Sequence, residues 1–256
     1  MATVKGIVTF TGTIDGINFY VRKGVPTARR SGGGFTAEKI KNKASMASVR
    51  RNNSELGHAA KVNRLLKMSF IFTLLHRTDG TLHARLMGLL LKIKVLDLSS
   101  KWGERTVWNG FKNVEGRQLY LDFQFMPTQT LDLLFNGLPV VSQLGSTCSC
   151  ASLSINDASF KNGATDVKMD YFVVDYCSAS LTYIRYEANS CVLSLKELPV
   201  TLPDFEIMGL PPTFDFRMAY VSVQFYKCAN GKMEVLKGDG MTGLRCLGVY
   251  DLGVRS

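Results

Sequence analysis

The chain has 256 residues, 46% of them hydrophobic and 20% charged, a balance that supports buried cores and excludes wholesale disorder. Its formal charge of +10 is lopsided: residues 1–115 carry twenty Lys and Arg against seven Asp and Glu, whereas residues 116–256 carry eleven against fourteen. The longest apolar runs, residues 68–75 and 86–91, fall far short of the roughly 20 residues a membrane span requires, and no secretory signal opens the sequence. A cytoplasmic protein without a membrane partner, or one incorporated into a particle assembled there, is therefore expected.

Residues 5–14, KGIVTFTGTI, alternate as a half-buried strand does, and Asp15-Gly16 is a two-residue turn suited to a hairpin. Residues 17–22 form the predicted returning strand, Lys23-Gly24 a second turn and residues 25–30 a third strand. Phe10, Phe19 and Val21 then share one face. Ser31-Gly32-Gly33-Gly34 breaks the pattern; it lacks the Gly-Lys-Ser/Thr ending of a phosphate loop and reads as a connector.

Residues 44–76 have helical periodicity, with an irregular turn expected near Asn52-Asn53. At 100° per residue Leu56, Ala59, Leu66 and Phe70 fall on one side, with Arg50, Lys61 and Arg64 roughly opposite. Gly57 inside this helix is expected to mark close approach of another backbone. Thr78-Asp79-Gly80 is a turn, after which Leu82, Leu86, Leu89, Leu90, Ile93 and Leu96 predict a second helix, antiparallel to the first. Lys92 and Lys94 would extend the positive surface. Residues 97–117, including Lys101-Trp102-Gly103 and Trp108-Asn109-Gly110, read as a connector.

Beyond Gln118 the texture changes to short strands, predicted at residues 119–125, 128–134, 150–155, 167–176, 179–186, 191–195 and 218–226. Asn136-Gly137, Asn162-Gly163, Pro211-Pro212 and Asn230-Gly231 separate them, and residues 233–236 and 247–252 would close the set. Strands at this spacing argue for an antiparallel, Ig-like β-sandwich. The predicted class is α+β: a basic hairpin and helical-hairpin region at 1–115, then a sandwich domain at 118–256.

Little in this pattern supports catalysis. Cys148, Cys150, Cys177, Cys191, Cys228 and Cys246 all lie in the back half, and His58, His76 and His83 all lie in the front. Without a CxxC pair, buried reduced thiols are expected, and neither a metal site nor a cofactor is implied. Ser54 and His58 share a helical face, but only Glu55 stands near to orient the ring. Asp166, Asp170 and Asp175 sit on or beside a predicted strand and form no hydrolase-like pair. A non-enzymatic protein is expected.

Polyanion binding has more support. Arg22, Lys23, Arg29 and Arg30 on a β-ribbon, with Arg50, Arg51, Lys61 and Arg64 on a helix, are the residue types that neutralise phosphates. Phe19, Tyr20 and Phe35 interleave with them and could stack on bases if exposed, although core packing is the better account of such aromatics. The expected partner is nucleic acid or another polyanion, and the acidic back half makes a homo-oligomer the second expectation. In the alternative reading the cations face acidic surfaces of neighbouring copies in a shell, filament or phage-tail-like subunit without nucleic acid.

Lys5-Gly6, Gly12-Thr13, Gly16, Phe19-Tyr20 and Arg29-Arg30, followed by Asn53-Ser54-Glu55-Leu56-Gly57 and Ala60-Lys61, resemble the opening of a family of uncharacterised bacterial proteins of similar length. Its mark is a G-T-x-x-G-x-x-F-Y hairpin motif, with a late Asn-Gly turn such as Asn230-Gly231. The resemblance implies a shared layout over most of the chain and carries over no activity and no catalytic residue.

Overall fold

Asp15 and Gly16 both take positive φ, 46° and 72°, the conformation that lets a two-residue turn follow the right-handed twist of a hairpin. The turn joins β2 (Gly12–Ile14) to β3 (Ile17–Arg22), and Lys23-Gly24 repeats the device before β4 (Val25–Arg30). A short β1 (Ala2–Thr3) pairs with the far edge of β4, giving the antiparallel order β1-β4-β3-β2. The predicted meander is therefore present.

The computed structural model describes residues 2–3, 11–32, 36–75, 79–128, 130–150, 153–199, 201–211 and 214–253. They divide into the units Met1–Ser54 and Glu55–Ser256, and the expected boundary at 115–118 falls inside the second. Most of the predicted first strand, with Phe10, lies outside the described residues, as do Gly33, Gly34, Phe35, His76, Thr78 and Pro212.

The first unit continues with α1 (Ala37–Asn42), capped by Thr36, whose hydroxyl accepts from Lys39 N at 3.3 Å. Helix α2 (Ala47–Phe70) runs unbroken through Asn52-Asn53, so the irregular turn expected there is absent. In the second unit its buried stripe is Glu55, Ala59, Val62, Leu66 and Phe70, which leaves Leu56 exposed rather than in the core. Helix α3 (Leu82–Val95) returns antiparallel: Asn63 Nδ2 donates to His83 O at 3.1 Å near one end, and Glu55 meets Lys94 at the other.

Two segments read as connector or strand are helical. Helices α4 (Val107–Lys112) and α5 (Val114–Leu121) occupy the expected connector and the start of the predicted 119–125 strand. Thr106 and Asn113 cap them by accepting from Asn109 N at 3.0 Å and Glu115 N at 2.9 Å. Leu119 to Phe125 alternates like a strand, yet Gly116 and Tyr120, four residues apart, share the buried side of α5. Helix α6 (Thr130–Leu134) likewise replaces the predicted 128–134 strand, burying Leu131 and Leu134. No described helix is long and apolar enough to cross a membrane.

The remaining elements are β5 (Val140–Val141), β6 (Thr147–Ser149), β7 (Asp166–Cys177), β8 (Thr182–Glu187), β9 (Cys191–Ser194), β10 (Phe205–Glu206), β11 (Phe216–Ala229), β12 (Lys232–Val235) and β13 (Thr242–Asp251). Strands β7 and β11 pair along nearly their whole length, and each serves two shorter strands placed end to end on its outer edge: β9 then β8 on β7, and β13 then β12 on β11. The result is a six-stranded antiparallel sheet.

Side chains alternate across it. Phe172, Val174, Tyr176, Phe216, Met218 and Tyr220 face the helical layer, while Val167, Met169, Tyr171, Val173, Ala219, Val221, Val223 and Phe225 face a second core. That core is closed by α6 and by a three-stranded sheet of order β10-β6-β5. The fold is thus α+β, with a sandwich-like arrangement of two antiparallel sheets and helices on the outer face of the larger. Between helices and sheet, Tyr120, Tyr220, Tyr176 and Ser69 form a buried chain of hydroxyls at 2.9, 3.5 and 2.6 Å. Each hydroxyl there has a partner, which removes most of the cost of burying it.

Three glycines separate packing from propensity. A Cβ on Gly110 would fall on the Ile93 carbonyl and one on Gly116 on the Gly110 carbonyl, so α3, α4 and α5 approach through these positions. A Cβ on Gly57 meets nothing, contrary to the expected close approach. Gly57→Ala is accordingly expected to stabilise the protein by about 0.5–1 kcal/mol, and Gly110→Ala to destabilise it by about 1–3 kcal/mol through overpacking. Urea unfolding of both variants checks this; effects of the same sign would contradict it.

Candidate polyanion-binding surface

In the first unit Arg22, Lys23, Arg29, Arg30, Lys39, Lys41, Lys43, Arg50 and Arg51 are all exposed, and the described acids there are Asp15 and Glu38. Register fixes where the ribbon cations point. Arg22 pairs with Val25 beside the Lys23-Gly24 turn, whereas Arg29 and Arg30 pair with Asn18 and Ile17 at the opposite end of the hairpin. Arg29 shares a face with Tyr20 and Arg22, and its guanidinium carbon lies 5.5 Å from the Tyr20 ring centroid. Arg30 projects from the other face, with Ile17, Phe19 and Val21. The ribbon therefore carries charge on both faces and at both ends.

Not every cation is equally available. Arg50 Nη1 donates to Ile40 O at 2.6 Å and Lys43 O at 2.9 Å, so it ties the end of α1 to α2. In the second unit Lys61 and Arg64 lie exposed on α2, and Lys67 Nζ sits 3.0 Å from His83 Nδ1. His58, half-buried with no partner at Nε2, has its pKa lowered by burial and then by Lys61.

Lys94 does not extend the surface as the sequence suggests; it turns inward to Glu55. That carboxylate, wholly out of solvent, also accepts from Arg105 Nε at 2.8 Å, Arg105 Nη2 at 3.0 Å and Gly103 N at 2.8 Å. The Arg105 hydrogen bond leads, followed by Lys94 and Gly103, in lowering the Glu55 pKa to about 2 against the opposing effect of burial. The acid nearest Lys61 and Arg64 in sequence is thus already committed to other cations. Burial would raise the Asp97 pKa, but bonds from Thr106 N, Ser99, Ser100 and Asn109 outweigh it and hold that carboxyl well below its usual range.

Three acidic groups on β7 are engaged structurally. Asp175 forms a buried bidentate pair with Arg217 at 2.6 and 2.7 Å, Asp170 meets Lys168 at 2.9 Å, and Asp166 accepts from Thr165 Oγ1 at 2.5 Å. All six cysteines are free; Cys148, Cys150 and Cys246 are buried, whereas Cys228 is exposed. Among the described residues no group of three or more His, Cys, Asp or Glu is placed to hold a metal ion.

Sequence reasoning did not single out an apolar patch on the second unit. Met68, Phe72 and Leu75 are 46%, 76% and 60% exposed and continue the line of Lys61 and Arg64 along α2 and the turn after it. The four-residue spacing of Arg64, Met68 and Phe72 was the available signal. Fold and surface together define the class: an α+β protein with a basic β-ribbon unit and a sandwich-like second unit. No family model, no curated protein and no solved structure matches the chain.

Proposed function

We propose that this is a non-enzymatic structural or assembly protein whose basic N-terminal region binds nucleic acid or another polyanion and whose sandwich makes protein contacts. The observation that carries the reading is the first unit's surplus of exposed Lys and Arg over Asp15 and Glu38. Such a surplus repels itself and favours an external anion. In the first unit Arg22, Lys23, Arg29, Arg30 and Arg51 serve as phosphate ligands, and Arg50 acts mainly as a brace for α1; on the second unit Lys61 and Arg64 serve as phosphate ligands of their own. Tyr20, beneath Arg29, supplies a ring against which a base can stack.

Reversing Arg22, Lys23, Arg29 and Arg30 to glutamate is expected to weaken binding to labelled DNA and RNA and to flatten its salt dependence. The slope of log K against log salt should shrink by about 0.7–0.9 per lost phosphate contact, the lower figure applying to single strands. An unchanged slope in a folded variant would sink the assignment.

A second reading, an oligomeric shell, filament or phage-tail-like subunit without nucleic acid, is favoured by the basic front and acidic back of the chain. Complementary patches at different places on one molecule propagate rather than close. Absorbance at 260 and 280 nm before and after high-salt washing separates the readings.

A further inference from the structure

We infer that two opposite surfaces of the second unit dock between copies of this chain, in a head-to-tail contact that deepens the assembly reading above and rests on it. The receiving surface is a cavity of about 100 Å³ lined by Arg64, Lys67, Met68, Phe70, Ile71 and Leu82, between the end of α2 and the start of α3. Among the described residues its lining holds two cations and no acid. Phe72 and Leu75 stand exposed beside it.

The inserting surface is the loop that follows β10. Phe205 and Ile207 are buried, whereas Glu206 on β10 and Met208 in the turn after it are exposed. Met208 is 81% exposed, with Gly209 turning the chain just after it. Asp204 fixes the base of this loop by accepting from Ser149 Oγ and Cys150 N, both at 2.9 Å. A flexible apolar side chain next to an exposed carboxylate complements an apolar cavity flanked by Arg64 and Lys67 in polarity and charge.

The two surfaces cannot satisfy each other within one copy. The cavity belongs to the helical layer on one side of the large sheet, and β10 belongs to the small sheet on the other. A contact between unlike patches leaves one of each free at the ends, so growth is open unless rotation closes a ring. Because the charged part is at the surface, salt weakens it.

The test uses the full chain, treated with nuclease, in light scattering coupled to size-exclusion chromatography at low salt. Wild type is expected to gain mass as concentration rises. Arg64→Glu and Glu206→Lys, each verified as folded by circular dichroism, are expected to remain at single-chain mass. An equimolar mixture of Arg64→Glu and Met208→Asp should stop at twice that mass, because each retains one intact surface and the two altered, acidic surfaces repel each other. Met208→Asp should behave as Glu206→Lys does.

Assembly undiminished in both charge variants would overturn the docking surfaces while leaving the assembly reading standing; no assembly by wild type would overturn both. Arg64-dependent binding to phosphatidylserine vesicles by a wild type that stays monomeric would assign the cavity to a lipid surface and overturn the proposal. DNA affinity of Glu206→Lys, read separately, is expected to match wild type.

Discussion

Replacing Asp175 with alanine is expected to destabilise the protein by about 3–5 kcal/mol, the cost of leaving a buried charge without its partner. Arg217 and Asp175 lie opposite each other on β11 and β7, 2% and 0% exposed, locked by two parallel hydrogen bonds. Water cannot reach the guanidinium once the carboxylate is gone. Arg217 also donates to Pro211 O at 2.5 Å and Leu144 O at 3.3 Å, so it holds two loops against the strand pair. Replacing both partners with methionine or leucine should recover part of the loss, since an apolar pair removes the stranded charge but gives up the Arg217 hydrogen bonds to those two loops. Guanidinium unfolding of the two variants gives the comparison, and a loss below about 1 kcal/mol in Asp175→Ala would contradict the account.

Glu55→Gln is expected to remove about 2–3 kcal/mol at neutral pH, less than a fully buried pair would, because Lys94 and Arg105 keep 12% and 24% of their side-chain exposure. The pH dependence has a definite sign. The Glu55 pKa falls from 4.5 to about 2 on folding, so its contribution is complete above about 4.5 and disappears as pH drops through that interval. Wild type and variant should therefore differ most at pH 7 and converge near pH 2, with Asp97 and Asp79 titrating alike in both. A constant difference across that range would mean that the Glu55 charge is not what holds the cluster.

Both ion pairs show why parts of this structure were not legible in the sequence. Glu55 lies 39 residues from Lys94 and 50 from Arg105, and Asp175 lies 42 from Arg217. Spacing rules reach three or four residues along a helix or directly across a hairpin, and these pairs are neither. By contrast, turns written in two residues were readable: Asp15-Gly16 and Asn230-Gly231 both adopt the positive φ values that a tight hairpin needs. The long apolar strands at β7 and β11 and the paired helices α2 and α3 were also plain from periodicity.

The three missed helices share a physical cause. At six, eight and five residues, α4, α5 and α6 are too short to be stable alone. Packing decides their state: Trp108 stacks on Phe216 at 5.1 Å between ring centroids, and Phe111 meets Tyr120 edge-on at 5.4 Å. The same limit applies to the candidate surface. Residue types marked Arg29 and Arg30 together, yet the contact of Arg29 with the Tyr20 ring and the pairing of Arg30 with Ile17 come only from the fold.

The end-to-end placement of strands on the large sheet bears on how it can come apart. Each margin is a pair of short segments with a seam between them, near Asp170 on one side and Phe225 on the other. Strands β8 and β12, which bury little, can peel away while β9 and β13 stay paired, and the β7–β11 ladder at the centre need not break for that to happen. Local opening is thereby confined to the rims, and the pair of strands that carries both cores is the last to part.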